Sequence, residues 1–324
     1  MMLRKAMSYV IKRALCGLLA ASLLPASAAL WAQAFPSRPV RIVTSEPGGG
    51  NDIVARIVAD GLSANLPQRA IVDNRGIVAV EIAAKATPDG HTLVVYGATI
   101  WLMQYLRDKV AWDAQKDFAP VAMAIQLPNI LAVHPTLPVK SVRELVALAK
   151  AKPGELNYAA GTIGVSPHLA AELFKSLAGI NIVMIPYKGG GPALNGLIGG
   201  EAQLMFPNAG AVNPHIRSGR VRALAVSTAK PSPLYPDLPT IAAVVPGYDT
   251  AAVICVFAPA RTPAPIVNLL NREIGRALNR AEVKERLSNL GAEVVAGSPA
   301  ELAAYMRTDM ARMGKVIKDA GIHE

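Results

Sequence analysis

The apolar residues of this chain follow two periods that alternate along its length. Short runs rich in Val, Ile and Leu predict strands, over residues 40–45, 70–73, 91–96, 156–159, 181–187, 202–206 and 221–227. Segments with apolar residues three or four positions apart predict helices, over residues 53–66, 80–86, 141–151, 167–177, 192–198, 265–278, 281–290 and 301–320. This alternation predicts an α/β fold with largely parallel strands.

Two further apolar runs, residues 129–134 and 252–258, are followed by prolines rather than by helices. We interpret them as strands that cross between two domains. The first domain is then discontinuous and comprises residues 35–134 and 256–324, while residues 135–255 form the second domain. A ligand is expected to bind in the cleft between the two.

The segment from Arg41 to Arg56 predicts a strand, a tight turn and a helix start. Gly48-Gly49-Gly50 leaves the backbone of the turn open to a small molecule, and Asn51-Asp52 follows as a capping pair. Main-chain N–H groups at a helix start favour an anion such as a carboxylate. The loop is therefore a candidate ligand cradle, with a plain strand–helix connection as the alternative.

A second stretch repeats this pattern near the middle of the chain. In Tyr187-Lys188-Gly189-Gly190-Gly191 a predicted strand ends, glycines follow, and a helix begins. Lys188 is a candidate partner for an acidic ligand. The alternative is a solvated lysine, since most surface lysines make little net contribution.

Residues 1–34 have the features of a cleaved secretory signal peptide. Four basic residues and no acidic residue accompany an apolar run over 14–30, and Ala32-Gln33-Ala34 has the form of a cleavage site. The run is short and is interrupted by Pro25, which argues against a membrane anchor. We expect a mature chain that begins near Phe35 and is located in the periplasm.

Removal of this segment lowers the net charge from +10 to +6. The sequence has no dense basic block with interleaved aromatic residues, so nucleic-acid binding is not expected. Cys255 is then the one remaining cysteine, which excludes an intramolecular disulfide. Its apolar neighbours in the sequence indicate a small buried residue rather than a reactive thiol.

The sequence contains no convincing catalytic or metal-binding constellation. The five histidines lack metal-ligand spacing, so neither a metal nor a cofactor is expected. Gly164-Val165-Ser166-Pro167-His168 resembles a serine-nucleophile turn, but His168 stands where that motif has its last glycine. We interpret Ser166 as a helix N-cap. This favours a binding protein over the two alternatives, an exported hydrolase using Ser166 and His168 and a structural or adhesion protein.

Several motifs that occur along nearly the whole mature chain point together to one family. They are Phe35-Pro36-Ser37-Arg38-Pro39-Val40-Arg41-Ile42-Val43, Pro47-Gly48-Gly49-Gly50, Asp73-Asn74-Arg75, Pro88-Asp89-Gly90-His91-Thr92-Leu93, Lys116-Asp117-Phe118-Ala119-Pro120-Val121, Ser166-Pro167-His168-Leu169-Ala170, Pro186-Tyr187-Lys188-Gly189, Phe257-Ala258-Pro259-Ala260 and Gly314-Lys315-Val316-Ile317-Lys318. With these motifs the chain resembles the Bug family of periplasmic solute-binding receptors, the extracytoplasmic components of tripartite tricarboxylate transporters.

The resemblance implies a two-domain periplasmic-binding-protein fold of the Venus-flytrap kind, similar to type II, with a discontinuous first domain. It also implies that a small carboxylated solute lies between the domains. Two strand–helix loops of the first domain would hold the solute, largely through main-chain N–H groups. We expect a monomer whose partners are the solute and either membrane transporter subunits or a sensor protein.

The expected ligand-binding residues come from these two loops and from polar loops of the second domain. They are Ser45, Glu46, Gly48, Gly49, Gly50, Asn51, Asp52, Val78, Ala79, Thr162, Ser166, His168, Lys188 and Asn208.

The sequence departs from the family pattern where the ligand is expected. Glu46 lies in a stretch that is neutral in the family, and residues 76–83 lack most of the glycines of the second loop. Residues 253–255, Val-Ile-Cys, replace an aromatic pair and a glycine and make the cleft more apolar. If Glu46 or Glu81 faces the cleft it repels a carboxylate, which favours a monocarboxylate, an amide or an amine over a dicarboxylate. The alternative is that both glutamates face solvent.

Overall fold

A computed structural model describes residues 35–161 and 163–323. The predicted signal peptide and the candidate residue Thr162 lie outside the described residues. The strands are β1 Val40–Thr44, β2 Ala70–Asn74, β3 Thr92–Gly97, β4 Phe118–Pro128, β5 Ile130–Val133, β6 Asn157–Ala160, β7 Val183–Pro186, β8 Leu204–Met205, β9 Arg222–Val226, β10 Ala251–Pro259 and β11 Glu293–Val294. The helices are α1 Gly50–Asn65, α2 Val78–Ala84, α3 Thr99–Leu106, α4 Val142–Ala151, α5 Ser166–Ala178, α6 Gly190–Ile198, α7 Ala209–Arg217, α8 Ala264–Leu278, α9 Ala281–Asn289 and α10 Pro299–Asp319.

Six strands form the first sheet, in the order β11-β4-β10-β3-β1-β2. β1 is parallel to both of its neighbours, with Val43 opposite Asp73 on β2 and Val94 on β3. β10 runs antiparallel to β3 and β4. Because β1, β2 and β3 are parallel, the loops into α1, α2 and α3 leave the same edge of the sheet, where α/β proteins commonly bind ligands.

Five strands form the second sheet, in the order β7-β6-β8-β5-β9. β6 is parallel to β7 and β8, whereas β5 is antiparallel to β8 and β9. The loops after β6 and β8 lead into α5 and α7. The starts of these two helices therefore lie at one edge of the second sheet.

The chain passes between the sheets at two places that hydrogen bonds tie together. The first is Asn129, between β4 in the first sheet and β5 in the second, and the other connects β9 to β10. The Ser227 hydroxyl accepts a hydrogen bond from the Asn129 main-chain N–H at 2.8 Å and donates one to the Thr250 carbonyl at 2.6 Å. The division into domains at residues 134/135 and 255/256 stays a prediction.

Aromatic side chains form the centre of the packing. Phe257 makes edge-to-face contacts with Trp101 and Phe118, at ring-centroid distances of 6.2 and 6.0 Å, while Phe174 contacts Phe206 at 5.6 Å. Such pairs contribute about 0.5–1.5 kcal/mol each beyond the area they bury. Cys255 is fully buried as predicted, and burial raises the pKa of its thiol, which marks it as a packing residue.

Most predicted elements are present, with differences that have local causes. α1 begins at Gly50 rather than Ile53, because Gly49 adopts an extended conformation and is the N-cap. The prediction omitted α3, α7, β4 and the two-residue strand β11. Gly210 and Pro214 interrupt the helical pattern of α7, and Pro120 lies within β4. Over residues 35–161 and 163–323, no helix is both long and apolar enough to cross a membrane.

Candidate functional site

A cavity of about 290 Å³ opens where the loops of the first sheet face those of the second. Its wall contains residues from both crossings, with Leu127 just before the first and residues 250–254 at the end of the second. The cavity therefore borders the segments through which the two sheets are joined, which is where ligands bind in hinged receptors.

Four helix starts contribute to the wall of this cavity. Gly50 is the first residue of α1, Thr99 of α3 and Ser166 of α5, and Asn208 is the N-cap of α7. The first N–H groups of a helix have no acceptor within it and carry partial positive charge. Their convergence makes the cavity favourable for an anion.

The rest of the wall is mainly apolar. It includes Leu102, Leu106, Leu169, Val253, Ile254 and Met313. Of the wall residues that the structure describes, none is a lysine or an arginine. An anion in the cavity would thus be held by main-chain N–H groups and neutral side chains, beside a surface suited to a short hydrocarbon chain.

Asn129 positions two of the polar side chains on the wall. It is fully buried, and its Oδ1 accepts a 2.7 Å hydrogen bond from the Ser166 hydroxyl. Its Nδ2 donates to the Phe206 carbonyl at 3.0 Å and to Asn208 Oδ1 at 3.1 Å. One buried amide at the first crossing therefore fixes groups at the starts of α5 and α7.

Asp52 fixes the glycine turn before α1. Its carboxylate accepts hydrogen bonds from the Gly48 main-chain N–H at 2.9 Å, from Arg56 Nε at 3.0 Å and from Asn74 Nδ2 at 2.9 Å. The Arg56 hydrogen bond is the main cause that lowers the pKa of Asp52 to about 2, and the bonds from Gly48 and Asn74 act in the same direction. Asn74 also donates to the Ser45 carbonyl at 2.7 Å, which joins the turn to the end of β2.

The cavity wall includes four of the expected ligand-binding residues, Gly50, Asn51, Ser166 and Asn208. The other expected residues of the first loop, Ser45, Gly48, Gly49 and Asp52, form or hold the turn that leads to Gly50. Val78 is 52% exposed and Ala79 is fully buried, and Lys188 is exposed outside the wall.

Neither glutamate considered from the sequence belongs to the cavity wall. Glu46 is exposed, and its carboxylate lies over Gly76, in space that a Cβ there would need. Glu81 forms an ion pair with Lys85, one helical turn later, at 2.6 Å. The argument that these two residues disfavour a dicarboxylate therefore has no basis in the geometry.

The interpretation of Ser166 as an N-cap is wrong. Val165 is the N-cap of α5, and the Ser166 hydroxyl lies within the helix and donates to Asn129. His168 has a different partner, because its Nδ1 accepts a hydrogen bond from the Gly164 N–H at 3.1 Å, and the residue lines a separate cavity with Glu172. Burial lowers the pKa of His168. This arrangement gives Ser166 no general base, as a hydrolase would need.

The second glycine loop borders an adjoining cavity of about 340 Å³. This space shares Val165, Ser166, Asn208 and Ala252 with the first cavity and adds Gly190 and Gly161. Gly161 lies so close to the Gly189 main chain that a Cβ on Gly161 would overlap it. The glycines after β7 thus approach the site, whereas the Lys188 side chain does not contribute to its wall.

Sequence reasoning missed several parts of the wall, among them the loop after β3 and two polar residues from distant parts of the chain. Gly97-Ala98-Thr99 follows β3 just as the glycine turn follows β1, so its place at a strand end was an available signal. Thr250 and Asp309 reach the cavity from distant parts of the chain, and no local pattern marks them. Among the residues that the structure describes, no group of three or more His, Cys, Asp and Glu side chains is arranged to hold a metal.

Comparisons with known proteins agree on one family. Residues 54–322 match the model of the tripartite tricarboxylate transporter family receptor. Protein BugT of Bordetella pertussis is 35% identical over 298 residues, covering 90% of this chain and 91% of BugT.

Solved structures of similar proteins share the fold. The structure of R. palustris Rpa4515 with adipate is 37% identical, with a TM-score of 0.70 and coverage of 89% of this chain and 98% of that one. MatC from Rhodopseudomonas palustris with bound malate is 32% identical, with a TM-score of 0.66 and coverage of 87% and 100%. These similarities confirm the predicted α/β periplasmic-binding-protein fold.

Proposed function

Because this chain belongs to the tripartite tricarboxylate transporter receptor family, we propose that it is a periplasmic receptor that captures a small carboxylate in the cavity between its two sheets. Membership confirms the predicted resemblance to the Bug family, whose members are solute-binding receptors and not enzymes. The hydrolase alternative is therefore set aside.

The observation that carries the proposal is the convergence of four helix starts on one cavity. Gly50, Thr99, Ser166 and Asn208 bring main-chain N–H groups from both sheets to the same space. A carboxylate there gains hydrogen bonds and a favourable interaction with the helix dipoles. The bound adipate and malate of two similar proteins support the same ligand class.

The apolar wall favours a carboxylate with a hydrocarbon portion. Leu102, Leu106, Leu169 and Met313 would cover the chain of the ligand, and each buried methylene contributes about 0.8 kcal/mol. Val253 and Ile254 stand where the family pattern has an aromatic pair, and both contribute to this apolar surface.

Ligand binding is proposed to draw the two sheets together. A ligand that contacts groups from both sheets binds the closed form more tightly and so shifts the population towards it. The tied crossings at Asn129 and Ser227–Thr250 are the expected hinge. We further propose that the closed receptor, a monomer released by signal-peptide cleavage, acts with a membrane transporter or a sensor protein.

Thermal shift with the purified protein tests this function. The panel contains monocarboxylates, dicarboxylates, amides and amines of four to eight carbons. A carboxylate at 100 times its Kd should raise Tm by about 5–10 °C. Native mass spectrometry should detect one small molecule per chain, and indifference to the whole panel would overturn the proposal.

A matched pair of variants locates the binding. Ala252→Phe adds a ring to the wall shared by both cavities and should abolish the thermal shift. Ala304→Phe makes the same change at an exposed position of α10 and should leave the shift intact. Equal shifts in both variants would place the ligand elsewhere.

A further inference from the structure

Asp309, on α10, brings a carboxylate to the wall of the cavity. The residue is 5% exposed. Its Oδ2 accepts a 2.8 Å hydrogen bond from Trp101 Nε1, and its Oδ1 accepts a 3.2 Å bond from Arg312 Nη2. These two partners hold the carboxylate in place beside Met313 on the same wall.

The charge of Asp309 is only partly compensated. Arg312 also pairs with Asp249 at 3.4 Å, so one guanidinium serves two carboxylates. In the described part of the chain, neither aspartate forms an ion pair with any other lysine or arginine. With both carboxylates ionised, the cluster of Asp249, Asp309 and Arg312 carries one net negative charge next to the cavity. Burial raises the pKa of Asp309, while Trp101 and Arg312 stabilise its ionised form.

The cavity thus offers two opposite kinds of surface. The helix starts at Gly50, Thr99 and Ser166 provide N–H donors and partial positive charge, whereas an ionised Asp309 accepts hydrogen bonds and carries negative charge. Among the wall residues within 35–161 and 163–323, Asp309 is the one charged side chain. A ligand group placed against it is favoured if it donates a hydrogen bond and disfavoured if it is a second carboxylate.

We infer that Asp309 is a specificity-determining residue that selects carboxylates whose far end carries a hydrogen-bond donor, such as an amide, an ammonium or a hydroxyl group, over the matching dicarboxylates. This inference rests on the proposed function, because it assumes that one carboxylate binds at the helix starts. Burial of an ionised Asp309 strengthens the discrimination, since like charges repel each other more strongly where water is excluded.

The test is a calorimetric titration of the purified protein with ligands of one chain length at neutral pH. Adipate, adipamate, 6-aminohexanoate and 6-hydroxyhexanoate share one carboxylate and differ at the other end. The donor-bearing compounds should bind roughly 10- to 100-fold more tightly than adipate. Adipate binding as tightly as all three would overturn the inference and leave the proposed function standing. Failure of all four to bind would also overturn the inference, whereas the proposed function falls only if the whole thermal-shift panel gives no shift.

Two variants assign the selectivity to Asp309. Asp309→Asn keeps the shape of the side chain and removes its charge. It should lower the ratio between the Kd of adipate and the Kd of the donor-bearing ligands by about tenfold or more. Asp319→Asn is the matched control, because it makes the same change at an exposed position of α10 that lies outside the cavity wall and does not contact Arg312, and it should retain the preference. The Tm of each variant shows whether it folds. If Asp309→Asn does not fold, the ratios of the Kd values of the four ligands for the wild-type protein test the inference. An unchanged ratio in folded Asp309→Asn would contradict the assignment.

Discussion

Ser166 Oγ donates a 2.7 Å hydrogen bond to Oδ1 of Asn129, and this bond joins the start of α5 to the residue at which the chain passes between the sheets. A wall residue of the cavity and the first crossing are thereby linked by a single contact. Any displacement of Ser166 by a ligand acts directly on Asn129, which gives ligand binding a short path to the proposed hinge.

Asn129→Ala should weaken ligand binding although Asn129 is not on the cavity wall. The change removes three side-chain hydrogen bonds and leaves buried partners unsatisfied, which costs about 1–3 kcal/mol for each unpaired group. We expect the affinity for the best carboxylate to fall about tenfold and the free energy of unfolding to fall as well. The control is Asn279→Ala, which removes an exposed hydrogen bond from the Asn279 side chain to the Gly275 carbonyl at the C-terminal end of α8. It should change neither the affinity nor the free energy of unfolding. Unchanged affinity in Asn129→Ala would show that ligand binding does not depend on the positioning of Ser166 and Asn208 by Asn129.

Asp52→Asn should reduce stability in a pH-dependent manner. The folded-state pKa of Asp52 is lowered from 3.8 to about 2, so its stabilisation is fully present above pH 3.8 and is lost as pH falls through about 2. At neutral pH we expect the variant to lose about 1–3 kcal/mol, and the difference from wild type should shrink below pH 3.8. Urea denaturation from neutral pH to below pH 3.8 measures this difference in the free energy of unfolding. Asp60→Asn, at an exposed position of the same helix, is the control. A constant difference at all pH values would refute the linkage.

His168 should make the loop beside the cavity sensitive to acid. Burial lowers the pKa of His168 below its ordinary value of 6.5, and its Nδ1 must be unprotonated to accept from Gly164. The stabilisation is therefore complete above pH 6.5 and declines as pH falls through the lower folded-state pKa. His168→Asn retains an acceptor that does not titrate, so it should flatten the decline of Tm on acidification. His323→Asn changes an exposed histidine and should preserve the wild-type profile. A profile for His168→Asn identical to wild type would exclude this role.

Lys188→Ala should leave carboxylate affinity unchanged. Lys188 is exposed and lies outside the walls of both adjoining cavities, although its neighbour Gly190 contributes to one of them. Exposed charges contribute little when solvent screens them. Titration calorimetry of the variant checks this, and a loss of tenfold or more would show that Lys188 reaches the bound ligand.

The sequence predicted most strands and helices of the fold because their periods are local signals. The glycines after β1 predicted the turn that brings Gly50 to the cavity wall, since a turn without side chains is recognisable from composition. The role of Ser166 was misjudged because an N-cap and a first helical residue differ by one position, and the partner that decides between them, Asn129, lies 37 residues away.

The acidic group that faces the cavity could not be found from sequence. Glu46 and Glu81 lie near glycine loops in the chain, yet one covers Gly76 and the other pairs with Lys85. Asp309 is far from every loop motif and reaches the cavity because α10 packs against α3, where Trp101 binds its carboxylate. Long-range packing of this kind has no local periodicity to reveal it.

The most direct measurement of the central claim is a crystal structure of the protein with its tightest-binding carboxylate. We expect the carboxylate oxygens to lie about 3 Å from main-chain nitrogens at two or more of the helix starts near Gly50, Thr99, Ser166 and Asn208. A carboxylate bound instead by lysine or arginine side chains outside this cavity would contradict the account.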